Sequence, residues 1–262
     1  MQTCLLGLAW DASSSHSRGP ALAPAIINAL LQSTASSPYS LSGVSIEDCL
    51  ADRRFPALPD DAEKARAVIG EAVAQILAAD MRPLSLGGDH SVTYPILRAM
   101  ADRHGPLNIL HVDAHPDLYD SLDGDRFSHA CPFRRAVEDG CVNRLVQVGI
   151  RSATPEQRDF AEEHGIVMLT ADEWDRIPYA ELADPLYVSI DLDGIDPAFA
   201  PGVSHPEPGG LSSREVISLV GKITVAPVGA DIVELNPERD IGMLTANLAG
   251  RLVKELAAKM SE

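Results

Sequence analysis

Short apolar runs alternate with amphipathic stretches along the whole chain. The runs are TCLLGLAW, PLSLGG, LNILHVD, RLVQVGI, IVMLT, PLYVSID and VGADIVEL. The stretches between them carry helix signals. APAIINALLQ reads as a helix after the first run, and Asp60 with Glu63 resembles a capping box ahead of Ala65, Val68, Ile69, Ala72, Val73, Ile76 and Leu77. Thr154, Pro155 and Gln157 open another helix that is expected to end near Gly165, and Ser212 with Glu215 opens the one carrying Val216, Ile217 and Val220. Leu244, Leu248, Leu252 and Leu256 recur every fourth residue in a closing amphipathic helix. Such stripes are core-packing faces. Runs alternating with helices from end to end predict an α/β fold with a mainly parallel sheet, and no internal repeat interrupts the pattern.

Composition narrows the picture. A chain of 262 residues with 45% hydrophobic content can bury one substantial core, so a single domain over 1–262 is expected. The 21 basic and 38 acidic residues give a formal charge of -17, which argues against a nucleic-acid or anionic-membrane surface. The start, MQTCLLGLAWD, has no basic n-region, and no stretch approaches the roughly 20 apolar residues of a membrane span, so a cytoplasmic location is expected. Cys4, Cys49, Cys131 and Cys141 form no CxxC pair and read as free thiols.

The polar residues that change the picture lie where the apolar runs stop. Gly87, Gly88, Asp89 and His90 follow PLSL; Asp113, His115 and Asp117 follow NILHV; Asp191 and Asp193 follow LYVSI; Glu234 follows GADIV. In open parallel sheets ligands bind beyond the carboxyl ends of the strands, so these segments point towards one crevice. Unpaired buried carboxylates are costly, and bound divalent cations remove that cost. Carboxylate and imidazole without thiolate favour Mn²⁺, Mg²⁺, Ni²⁺ or Zn²⁺, and the supply exceeds what one ion needs. Asp113, His115 and Asp117 can converge only if the chain leaves strand geometry after Asp113, a departure that Pro116 favours. A lone His90 would more often be a hydrogen-bonded loop histidine. Asp191 and Asp193 alone could be a helix cap, but a calcium loop fails because Gly194 follows directly and Ile195 stands at the third ligand position.

Taken together, GGDHS at 87–91, DAHPD at 113–117, SIDLDGIDP at 189–197 and ELNP at 234–237 resemble the ureohydrolases, the family of arginases, agmatinases and related amidinohydrolases. The resemblance runs from GLAWD near the start to the last helix. It implies an arginase-like three-layer αβα domain and a binuclear manganese centre, with nickel as the alternative metal. By the same resemblance His90 and Asp117 hold one ion, His115 and Asp193 hold the other, and Asp113 and Asp191 bridge them. Asp117 also accepts a hydrogen bond from the tetrahedral intermediate, Glu234 holds the substrate guanidinium, and His129 in RFSHACPFRRA matches a proton-shuttling histidine. There the match is looser, because Ala130 and Cys131 stand where glycine and a small residue are more frequent. Homo-oligomers, trimers or hexamers, are implied as well.

The implied reaction is hydrolysis of a small guanidino compound to urea and an amine. The substrate is less firmly placed. Tyr119 replaces an asparagine that helps hold the amino-acid end of arginine in animal-type arginases, while DAHPDLYD, FSHACPFRR and PGVSHPEPGGL look most like plant-type arginases and bacterial agmatinase-like proteins. Arginine's α-carboxylate wants a cation or amides, whereas agmatine's ammonium wants acid. Asp120, Asp123 and Asp125 stand against Arg126, Arg134, Arg135 and Arg151 near the expected mouth. The changed asparagine position and the acidic chain point to agmatine, giving putrescine and urea. The alternatives are arginine, another guanidino-acid or formimino substrate, a single-zinc deacetylase-like enzyme, and a non-catalytic subunit. His205 in SHPEPGG is a further pocket candidate.

Overall fold

Strands buried on both faces need apolar side chains in both directions, and this requirement produces the near-continuous runs in the sequence. In the computed structural model, which describes residues 2–262, those runs form β1 (Gln2–Gly7), β3 (Met81–Leu86), β4 (Leu107–Val112), β5 (Val142–Val148), β6 (Val167–Leu169), β7 (Leu186–Asp191) and β8 (Gly229–Val233). An eighth strand, β2 (Leu50–Arg54), has no counterpart in the apolar pattern: LADRR is a polar edge strand paired only with β1. The strand order is β2-β1-β3-β8-β7-β4-β5-β6, and every pairing is parallel, so the sheet is wholly rather than mainly parallel.

Two apolar layers flank the sheet. On one side α1 (Ala23–Leu31), α7 (Ser213–Gly221) and α8 (Leu244–Met260) pack on Leu110, Val112, Val188 and Ile190. On the other, α3 (Ala62–Ala78), α4 (Thr93–His104), α5 (Pro132–Glu138) and α6 (Pro155–Glu163) cover Leu6, Leu107, Ile109 and Tyr187. Alternation along β4 and β7 sends successive side chains into opposite layers, giving the three-layer αβα arrangement. The residues expected to open α6 and α7 do so as reciprocal capping boxes, Thr154 with Gln157 and Ser212 with Glu215. In α3 the cap is Asp61, which accepts from the Lys64 N–H at 2.9 Å, one residue later than the Asp60 expectation. Leu248, Leu252 and Leu256 of α8 are buried, but Leu244 at its first position is exposed.

The strand order matters for chemistry because β3, β8, β7 and β4 are neighbours at the centre of the sheet. Their carboxyl ends deliver His90, Glu234, the Asp191–Asp193 pair and the Asp113–Asp117 segment to one crevice.

Candidate metal centre and active site

Each strand end is locked by its own polar groups before it meets the others. Beyond β4 the Asp113 carboxylate accepts from the His115 backbone N–H through Oδ1 at 2.6 Å, and Asp117 adopts a left-handed backbone with φ 52°. The chain has left strand geometry there, as convergence requires. Beyond β7, Asp191 Oδ1 accepts from the Asp193 N–H at 2.8 Å, and Asp193 Oδ1 accepts from the Ala114 N–H at 3.2 Å. One oxygen of each aspartate holds the loop, and the other faces the cluster. Gly194 lets these two ends approach: a Cβ there would lie 2.7 Å from the Asp113 nitrogen and 2.8 Å from its Cα.

The result is a cage of carboxylates around two imidazole nitrogens. His90 Nδ1 lies 3.2 Å from Asp113 Oδ2, 3.0 Å from Asp117 Oδ2 and 3.2 Å from Asp191 Oδ2. His115 Nδ1 lies 3.2 Å from Asp193 Oδ2 and 3.4 Å from Asp113 Oδ1. Apart from the half-buried His115, all are buried. His90 Nδ1 is aligned with no hydrogen-bond partner although three oxygens surround it. Its other nitrogen, Nε2, meets Ser189 Oγ at 3.0 Å, and Ser189 commits its one hydrogen to Asp231 at 2.6 Å. Ser189 can therefore only accept from His90, which puts a hydrogen on Nε2 and aims Nδ1 into the cage. Asp231, buried within β8, also accepts from Thr93 and Tyr187, both at 2.8 Å.

The carboxylates of the cage repel one another. Burial and the repulsion of Asp193 and Asp113 push Asp191 well above the usual carboxylate range. Burial and Asp113 push Asp193 up to about 7. Burial works against a charge on His90, but Asp113, Asp117 and Asp191 outweigh it and raise its pKa well above the ordinary value. His115 is likewise opposed by burial and carried by Asp193 and Asp113 to about 12. Protons are here doing the neutralising that divalent cations do better. A buried, unaligned nitrogen among carboxylate oxygens, with no thiolate nearby, fits hard or borderline divalent cations.

Beside the cage, Glu234 has φ 65°, and its Oε1 accepts from the His90 backbone N–H at 2.9 Å and faces His129 Nδ1 at 3.4 Å. Burial opposes charge on His129, yet Glu234 outweighs it and raises the pKa to about 9, so the ring is cationic at neutral pH. His129 Nε2 meets Ser15 Oγ at 2.9 Å. His205 stacks on His129 with centroids 5.2 Å apart; burial, then the charge on His129, push it down to about 4.

These groups open into a cavity of about 420 Å³ whose walls include Ser15, Tyr119, Leu122, Ser152 and His205. A larger groove of about 730 Å³ between α3 and α4 gathers no histidine. Of the charged residues expected near the mouth, Arg151 alone lines the cavity among the described residues, and its guanidinium is already committed. It donates to the backbone carbonyls of Gly149 at 2.8 Å, Asp193 at 2.7 Å and Glu207 at 2.6 Å. Arg126, Arg134 and Arg135 pair with Asp120 or Glu138 away from it.

The profile described as "Arginase family" matches residues 1–258. The chain belongs to the arginase family. Arginase 1, mitochondrial, of Arabidopsis thaliana is 40% identical over 278 residues, spanning 99% of this chain and 81% of that protein. The solved arginase of Medicago truncatula superposes with a TM-score of 0.92 at 38% identity, covering 99% of this chain and 87% of that one. The agmatine ureohydrolase of Thermoplasma volcanium follows the same fold with a TM-score of 0.87 at 28% identity, covering 99% and 90%. Membership makes this arginase-family protein a ureohydrolase, a hydrolase of guanidino or amidino C–N bonds acting on small guanidino compounds. Among the described residues no helix is long and apolar enough to cross a membrane.

The structure brings His90, Asp113, His115, Asp117, Asp191, Asp193 and Glu234 together at the central strand ends of this family member, with His129 beside them from the loop that precedes α5. It adds residues that were overlooked: His111, Gln147, Ser189 and Asp231. A signal existed for three of them. His111 precedes Asp113 by two, Ser189 precedes Asp191 by two, and each pair shares a face of its strand; Asp231 is a carboxylate inside an apolar run.

Proposed function

We propose that this chain releases urea from arginine at a centre of two divalent cations, manganese by family expectation. The observation that carries the reading is the unaligned His90 Nδ1 within 3.2 Å of three carboxylate oxygens. His90, Asp113, His115, Asp117, Asp191 and Asp193 would hold the two cations. When bound, such a pair supplies the Lewis acidity that activates water for attack on a guanidinium carbon.

The chain's own groups do the rest. Glu234, held in place by the His90 N–H, offers a charged acceptor to the guanidinium. Asp117 accepts a hydrogen bond as the trigonal carbon becomes tetrahedral. His129, cationic at neutral pH, gives its proton to the departing amine, and Ser15 keeps its ring in line. Arginine is placed first because plant arginases resemble this chain over nearly its whole length. Agmatine is the second reading. One observation favours it: the Arg151 guanidinium is spent on backbone carbonyls, leaving hydroxyls rather than a free cation to meet an α-carboxylate.

Urea release from manganese-loaded protein with arginine, agmatine, 4-guanidinobutyrate and 3-guanidinopropionate tests the reading, with Asp113→Ala as the blank. Ornithine and urea from arginine are expected. Faster turnover of agmatine would replace the first substrate with the second, and no urea from any guanidine would overturn both.

A further inference from the structure

His111 is fully buried between the Phe133 ring, 4.0 Å away, and the Asp113 carboxylate. Its Nε2 lies 2.8 Å from Asp113 Oδ2, and its Nδ1 lies 2.9 Å from Gln147 Nε2 on the neighbouring strand β5. The nitrogens and oxygens of His90, His111 and Asp113 are close enough together to hold an ion, so proximity alone would make His111 a metal ligand.

The hydrogen-bond inventory assigns it another role. Gln147 Nε2 also sits 2.7 Å from the Pro116 carbonyl oxygen. A carbonyl only accepts, so the atom facing it must be the amide NH₂; the flipped amide would set two acceptors against each other. The same NH₂ then donates to His111 Nδ1, which must carry a lone pair. The ring's one hydrogen is left on Nε2, where it donates to Asp113. Coordination through Nε2 would strip that hydrogen as well and require an imidazolate.

We infer that the line from Pro116 through Gln147 fixes His111 as a neutral Nε2–H donor to Asp113 and keeps it out of the coordination shell. His111 is thus a positioning residue: with the His115 N–H on Oδ1 and the His111 ring on Oδ2, Asp113 has a donor on each oxygen and cannot rotate. The ring does this without adding positive charge beside the cations. Gln147 Oε1 is left buried without a partner. The positioning half of the inference rests on Asp113 being a ligand; the tautomer half does not.

Long-range ¹H–¹⁵N NMR of protein labelled in histidine reads the tautomer directly, in the chelated state and after loading with ¹¹³Cd²⁺. His111 should show an unprotonated Nδ1 and a protonated Nε2 in both, with no coupling from cadmium. Gln147→Met should release this pattern. In Mn²⁺ titration calorimetry, His111→Leu should weaken cation binding roughly tenfold or more, and His111→Asn, which can restore an N–H donor, should recover part of it. Cadmium coupling at His111 Nε2, or a proton on Nδ1 in the native protein, would overturn the inference while leaving ureohydrolysis untouched. Two cations bound with the expected tautomer but no urea from any guanidine would instead remove the proposed function and leave this inference standing.

Discussion

Asp117 and Glu234 occupy the left-handed backbone region, with φ 52° and 65°. Side chains with a Cβ avoid it at a cost of about 1–3 kcal/mol, so such strain persists where surrounding structure over-determines it. In both cases the turn directs a carboxylate towards the cage. Glu234→Gln keeps size and backbone but removes the charge opposite the guanidinium; a charge-assisted bond of this kind is worth about 1.5–3 kcal/mol, so kcat/KM should fall roughly 10- to 100-fold. His129→Asn should lose about 10²–10⁴ in kcat while metal analysis still finds two cations; a lost cation would make His129 a ligand. His205 gives a pH prediction. Its folded pKa of about 4 lies below the unfolded value near 6.5, so its contribution is intact above 6.5 and is lost as pH falls towards 4. His205→Gln should therefore show a smaller drop in Tm than the native chain between pH 7 and 4.5. Equal drops would mean that the ring is not held neutral. Carboxylates ending apolar runs were legible at this scale because their burial has to be compensated. Gln147 was not, since its partners come from another strand and a loop.

At the scale of elements, the starts of α6 and α7 and seven of the strands could be read from the chain, because hydrophobic period and cap chemistry are local. β2 could not be read: an edge strand needs fewer apolar side chains, and Asp52, Arg53 and Arg54 use their polar ends at its rim. Nor could the approach of β4 and β7 ends, which depends on Gly194. Its absent Cβ would meet backbone, and backbone cannot swing aside as a side chain would. Gly194→Ala should thus cost about 1–3 kcal/mol in denaturant unfolding and lower cation content in parallel. Stability lost without any change in cation binding would show that the two ends tolerate separation.

For the molecule as a whole, the order of strands was beyond the sequence, because pairing is decided by contacts between distant segments; the site was nevertheless foreseeable, since a parallel sheet puts every carboxyl end on one edge. That edge collects negative charge, and the chain carries -17 overall. In the absence of cations, Asp193 keeps its proton up to about pH 7, whereas the unfolded chain releases it near 3.9. Its folded pKa is raised, so this acid costs the fold stability as pH climbs between those values. His115, whose folded pKa is also raised, acts in the same direction over a later window: its contribution is fully present below 6.5 and is lost as pH rises from there towards about 12. Cation binding must expel the protons of both, and the competition weakens with rising pH. The gap in Tm between manganese-loaded and chelated protein should therefore widen from pH 5 to pH 8, following the logarithm of cation concentration over its dissociation constant. A gap that stays constant across that range would mean that cations bind without displacing protons, and the carboxylate cage would then not be where they bind.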